Sequence, residues 1–437
     1  MDSRTRITGL AAAAATFVCT LGLAASAHAA STYTVTAGDA SSLESAVISA
    51  NTDGVDSIVN VPAGTYTLNG SGMDIANDGS FTLTGAGARS TIIDSAATPG
   101  SGSTIFSVEN GANATISGVT LENASVDGSG GAIAVAGPGD PATLTVTDST
   151  FTGNETAFSG EDGGAIFNAG NLDVERDTFS NNRSATNGSA IASEVFSIVA
   201  APRGRPIAGN VSIVNSTFTG NESDTSGDNE GFGTIFMEGG FATLVNDTIA
   251  QNSDDNGGGD AGLTVFAGEA DVLNTIIANN TIGTGSSATT GNCFTGKALL
   301  NSEGHNIESG TDCNFMSTGD QQNTDPKLGP LQNNGGQMDT MALLPGSPAI
   351  DKADSVGCPP TDEIGTTRPQ GPACDIGAYE VPLLPPAPPA PPAPPAPPAP
   401  APTPPASPKV SVAGVRRACV STSFHLRFHI ATAASVR

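Results

Sequence analysis

Five segments of this chain repeat one eight-residue phrase: LTVTDSTF at 144–151, LDVERDTF at 172–179, VSIVNSTF at 211–218, ATLVNDTI at 242–249 and ADVLNTII at 270–277. Three residues after each phrase stands an asparagine: Asn154, Asn182, Asn221, Asn252 and Asn280. A glycine-rich phrase precedes each copy, from Gly130-Gly131-Ala132-Ile133 to Gly262-Leu263-Thr264-Val265. Self-similarity at this period identifies a repeat architecture, in which each unit buries its apolar face only by stacking on its neighbours.

Within the phrase the first, third and eighth positions are apolar, while the second is Thr, Asp or Ser, the period-two pattern of a strand. Phe151, Phe179, Phe218, Ile249 and Ile277 are therefore expected to form one internal column. The five asparagines are expected to form a second, hydrogen-bonded from rung to rung. The glycines mark positive-φ corners or close backbone approach. Successive Phe/Ile positions lie 28, 39, 31 and 28 residues apart, so strand length is kept and loop length varies. A parallel β-helix over 61–342 follows. A β-sandwich would not place identical residues at identical offsets.

Residues 31–60 predict strand, helix, strand, and form the expected N-terminal cap. Ser41-Ser42-Leu43-Glu44 has capping-box spacing, and Leu43, Ala46, Val47 and Ala50 make one apolar stripe. Such a helix would shield the open end of the stack. Residues 1–30 have the basic start, apolar stretch and Ala27-His28-Ala29 ending of a secretory signal peptide, and no later run is long enough to span a membrane. Export permits disulfides, and Cys293 with Cys313 and Cys358 with Cys374 are the expected local pairs, with Cys419 left over. A PPA-repeat tract over 381–408 predicts a polyproline II spacer of roughly 80 Å. Residues 409–437 include a strictly alternating strand and are expected to be a fragment of a second β domain.

The formal net charge is −27, and beyond Asp2 every acidic side chain falls within 31–380. Such a body repels phosphate backbones and excludes nucleic acid as a natural partner. Neutral glycans, other cell-surface ligands and divalent cations suit it better, and no cofactor is required. Asp162, Asp228, Asp254 and Asp255 sit in Gly-rich turns before glycine phrases, as hard-oxygen ligands for Ca²⁺ would. Arg203 and Arg205, together in the longest loop, are candidate ligand-binding residues for a carboxylate or sugar. Asn51-Thr52-Asp53-Gly54 resembles the NTDG of pectin-hydrolysing β-helix enzymes, yet no acidic pair follows nearby and His305 lacks the glycine that would follow it there. It is expected to be a turn after the cap helix. No catalytic residue is assigned.

The GGAI phrases at 130 and 163, with FTGN at 151 and 218 and FSNN at 179, resemble the repeats of polymorphic outer membrane proteins. Residues 42–68 look like the N-terminal section of exported bacterial β-helix proteins. PGSPAID at 345–351, RPQG at 368–371 and CDIGAYE at 374–380 resemble the C-terminal region, here 343–380, of the choice-of-anchor Q family of bacterial surface proteins. The resemblance implies a right-handed, pectin-lyase-like parallel β-helix, secreted or displayed at the cell surface, and supplies no catalytic residues. The expected function is a monomeric, non-catalytic adhesin or carbohydrate-binding module on a proline-rich stalk. The alternatives are a polysaccharide lyase or glycoside hydrolase, and a structural component of the cell envelope.

Overall fold

The computed structural model describes residues 29–383, apart from 77–78, 136–140, 197–206, 224–231 and 256–260. The leader, proline tract, C-terminal fragment, Cys419, Arg203, Arg205 and Asp228 lie outside the described residues. The chain winds into a parallel β-solenoid with four faces, which among the described residues hold ten, nine, seven and eight strands in the order the chain meets them. One rung shows the course: Asn171–Glu175 on the first face, Thr178–Ser180 on the second, Arg183–Ser184 on the third and Ile191–Ser193 on the fourth. Asn210–Val214 then begins the next rung, with Leu172 paired to Val211 and Val174 to Ile213.

The repeated phrase turns the corner from first face to second. Its first and third residues point inward and are buried, as Leu144, Val146, Leu172 and Val174 show. Its fifth residue makes the corner: Asp148, Arg176, Asn215, Asn246 and Asn274 all have φ between 52° and 59°. Asn and Asp accept this left-handed backbone most readily among residues with a Cβ. Arg176 is the exception, and its guanidinium bonds Asp148 on the rung before at 2.8 Å and the adjacent Glu175.

The eighth position lies inside the solenoid. Phe151 stacks on Phe179 with ring centroids 4.6 Å apart, and Phe179 on Phe218 at 4.7 Å, nearly parallel in both cases. Ile249 and Ile277 continue the column in register. Ring spacing matches the strand spacing, so stacking and backbone pairing reinforce each other. Phe179→Ala is expected to cost about 3–5 kcal/mol, while Phe218→Ile should cost under about 1.5 kcal/mol. Urea denaturation of the two variants checks the contrast.

Each ladder asparagine is fully used. Asn182 Nδ2 donates to Asn221 Oδ1 and to the Phe151 carbonyl, both at 3.0 Å, while its Oδ1 accepts from the backbone N–H and Nδ2 of Asn154. The pattern repeats through Asn252 and Asn280 and ends on Asn292. A second ladder runs beside the other corner, through Ser149, Asp177, Ser216, Asp247, Thr275 and Asn306, each accepting the preceding member's backbone N–H on its side chain. In the glycine phrases the two glycines serve different needs. Gly130 has φ +82°, whereas a Cβ on Gly131 would collide with the Gly164 carbonyl oxygen.

Among the described residues a single α-helix, α1 (Ala40–Thr52), covers the first rungs with Leu43, Ala46, Val47 and Ala50 buried. Its cap differs from the one expected: Asp39 accepts from the Ser42 N–H, so the helix starts before Ser41. Asp carboxylates are strong N-caps, and here the Ser42 hydroxyl instead accepts from the Thr36 N–H.

After the last rung the chain turns back along the outside of the second face. Leu328–Gln332 and Thr340–Leu343 form an antiparallel pair, and the following turns run to Val381. Leu343, Ala349, Ile376 and Tyr379 pack on Ile276, Ala278 and Ile307 of the solenoid. Disulfides join Cys293 to Cys313 and Cys358 to Cys374.

Candidate functional site

The fourth face gathers the chemistry. Parallel register sets its central outward column as Phe167, Ala192, Phe236, Thr264 and Phe294. The residues that follow these strands make a rim column of Glu194, Glu238 and Phe266, since Glu238 N–H donates to Ser193 and Phe266 N–H to Met237. On the opposite side Asp162, Asn187 and Phe232 align, with Asn187 bridged to Phe232 and its N–H donating to Asp162 at 2.7 Å. The three columns converge on one aromatic cluster. Phe232 lies 5.6 Å from Phe294 and 6.2 Å from both Phe236 and Phe266, centroid to centroid.

Phe266 and Phe294 are 46% and 38% exposed, whereas Phe236 is buried beneath its neighbours. An exposed aromatic group beside polar side chains is the composition of a recognition surface. Next to it, burial first, then the hydrogen bond and charge of Asp162 and the charge of Glu238, push the Glu194 carboxyl up to about 9. Glu194 is thus a proton donor at neutral pH, hydrogen-bonded to Asp162. Ala192, at the middle position of the same rung, offers only a methyl group. Glu238 occupies the position of Glu194 one rung on, about 4.8 Å away along the stack, and is exposed.

The acidic turn residues fall in different settings. Asp162 belongs to the fourth-face site. Asp254 points into the solenoid and is fully buried, while Asp255 lies beside Glu222, whose carboxyl is raised by burial first and then by Asp255. Asp162 and Asp254 are three rungs apart, about 14 Å along the stack. Among the described residues no three His, Cys, Asp or Glu side chains converge as a metal-binding group. Asn51-Thr52-Asp53-Gly54 is a structural turn: Asn51 binds Asp74 and Ala76 of a neighbouring rung, and Asp53 accepts from Tyr33, Val55 and Ser57.

The fourth-face residues escaped sequence reading because their positions vary from copy to copy. Aligning the phrases on Ile166, Ile191 and Ile235, with one residue fewer after Gly233, would have brought Phe167 and Phe236 to one position, and Glu194 and Glu238 to another.

No family model and no curated protein matches the sequence. A solved structure described as Geobacillus virus E2 ORF18 is similar over 63% of this chain and 61% of its own, at 14% identity and a TM-score of 0.29. This chain therefore spans about three fifths of that chain's length, and the likeness at this score carries no functional argument.

Proposed function

We propose that the protein is an exported β-solenoid of the choice-of-anchor Q type that binds a neutral glycan on its fourth face. The carrying observation is the cluster of exposed Phe266 and Phe294 with half-buried Phe232, seated on buried Phe236 and flanked by Glu194, Glu238 and Asp162. Flat aromatic rings stack on the apolar faces of sugar rings, and carboxyl groups at the edge bind hydroxyls in fixed directions. The acidic body argues against a polyanionic partner. Two disulfides suit an oxidising compartment, and no helix among the described residues is long and apolar enough to cross a membrane.

A glycan array with the full chain tests this. Phe266→Ala is expected to weaken binding of any neutral glycan hit about tenfold without lowering the melting temperature. Retained affinity in Phe266→Ala and Phe294→Ala would move the binding site off this face.

A second reading, hydrolysis of a glycosidic bond, is favoured by the Glu194–Glu238 pair. A raised and an exposed carboxyl on adjacent rungs, close enough for the charge of Glu238 to act on Glu194, make the kind of pair that retaining glycosidases hold roughly 5–5.5 Å apart. Reducing ends that appear with the wild type and vanish in Glu238→Gln would replace binding by catalysis.

A further inference from the structure

We propose that the block over 326–381 is a proton-dependent clamp: Glu363, carried as the neutral acid, pins it to the second face, and ionisation of Glu363 lets it detach. The proton is assigned by counting donors. Thr178 Oγ1 lies 2.8 Å from the Asp339 carbonyl oxygen, which can only accept, and 2.9 Å from Glu363 Oε1. A hydroxyl has one proton to give. If it goes to Asp339, the contact to Glu363 closes only when Glu363 donates to Thr178. The other oxygen, Oε2, accepts from Thr217 Oγ1 at 2.5 Å. Every polar atom of this contact is then satisfied without a charge.

Among the described residues no cation is placed to offset an ionised Glu363. Glu363 is 1% exposed, and the ionisable groups that act on it are Asp362 on its own block and Asp177 on the solenoid, both carboxyls that burial also holds towards the neutral form. The arginines are committed elsewhere. Arg368 donates to the Asp375 and Gly377 carbonyls and to Glu380, and it also faces Asp362, Asp375 and Asp247. Arg176 holds Asp148 and Glu175, and Arg89 holds Asp339 at 2.7 Å. Burial accordingly raises the Glu363 carboxyl well above the usual range, opposed to a lesser degree by Thr217 and then Thr178, whose hydroxyls would turn to donate to an ionised Glu363.

A buried anion held by two hydroxyls, with no cation paired to it, costs more than an undocked block whose carboxylate is hydrated. Detachment would uncover the hydroxyls of Thr178, Thr217 and Thr248 and the amides of Asn246 and Asn274, all now held by the block.

Hydrogen–deuterium exchange of the full chain, corrected for intrinsic rates and followed from about pH 5 to about pH 9.5, tests the clamp. Peptides within 338–381 are expected to lose protection about tenfold per pH unit once Glu363 ionises, while peptides over 143–147 and 171–175 keep theirs. Glu363→Gln, which still donates to Thr178, should keep its protection to higher pH than the wild type and show a shallower loss, the part set by Asp362 and Asp375 of the same block. Thr178→Val removes the acceptor of the proton and should shift release to lower pH. Equal wild-type protection at both ends of the range would overturn the clamp. So would release of Glu363→Gln at the same pH as the wild type, or no shift in Thr178→Val.

Discussion

Replacing Asn221 by leucine is expected to destabilise the solenoid by about 4 kcal/mol or more, by adding buried unpaired groups at about 1–3 kcal/mol each. Leucine fits the space approximately, so packing alone predicts little. The loss comes from the partners left behind. Asn182 would lose the acceptor of its N–H and of its Nδ2, the Phe179 carbonyl would lose its amide donor, and Asn252 Oδ1 one of its two donors. None of these can turn to water, because Asn182, Asn221 and Asn252 are at most 1% exposed. Asn221→Asp is the informative companion. It keeps an oxygen for Asn182 but brings an unpaired charge, so its stability should recover partly as the solution is acidified. Urea denaturation at two pH values checks both, and a loss under about 1 kcal/mol for leucine would mean the ladder contributes little.

The wild-type protein should melt about 5–10 °C higher near pH 5 than near pH 8. Burial is the leading cause of raised carboxyl pKa values at Asp177, Asp247, Glu363, Asp362 and Glu308, with Asp375 raised to about 6 and Glu194 to about 9. These groups keep protons in the folded state that the unfolded chain releases near pH 4. The folded state binds more protons, so stability is fully present below the unfolded values. It declines as pH rises, through about 6 for Asp375 and towards about 9 for Glu194. The rise of Asp375 from 3.8 to about 6 alone corresponds to about 3 kcal/mol. Asp53, lowered to about 2 by Ser57, Val55 and Tyr33 against its own desolvation, acts oppositely, and only below about pH 4. A melting temperature that rises from pH 5 to pH 8 would contradict this balance.

The solenoid was legible because parallel register converts spacing along the chain into contact across it. Phe151, Phe179 and Phe218 sit at equal offsets in their phrases, and equal offsets become stacked rings. The corner was harder to see. Asn215, Asn246 and Asn274 carry the signal of positive φ, but Arg176 at the same position disguises it as strand. The second ladder hides by mixing Ser, Asp, Thr and Asn, which share only an oxygen at the same reach. The block after 326 has no period at all. Its turn formers announce loops, and nothing in them says that Glu363 will find Thr178 and Thr217. The fourth-face aromatics are similarly scattered, since Phe232 and Phe294 reach one cluster through loops of different length.

An ordinary solenoid unfolds like a zipper, since each rung holds only its two neighbours. Here the returning segment spans the stack like a splint. Arg89 is bonded to Met338 across 249 residues, Thr178 to Glu363 across 185 and Asn246 to Gly377 across 131. Rungs far apart along the axis are thereby fastened to one another, and fraying at one end must also break bonds made at the other. The stack is expected to lose its piecewise melting and give way as one body. Because the fastening residues are the last of the folded unit to leave the ribosome, the early rungs wait, assembled and unbraced, until Glu380 has emerged.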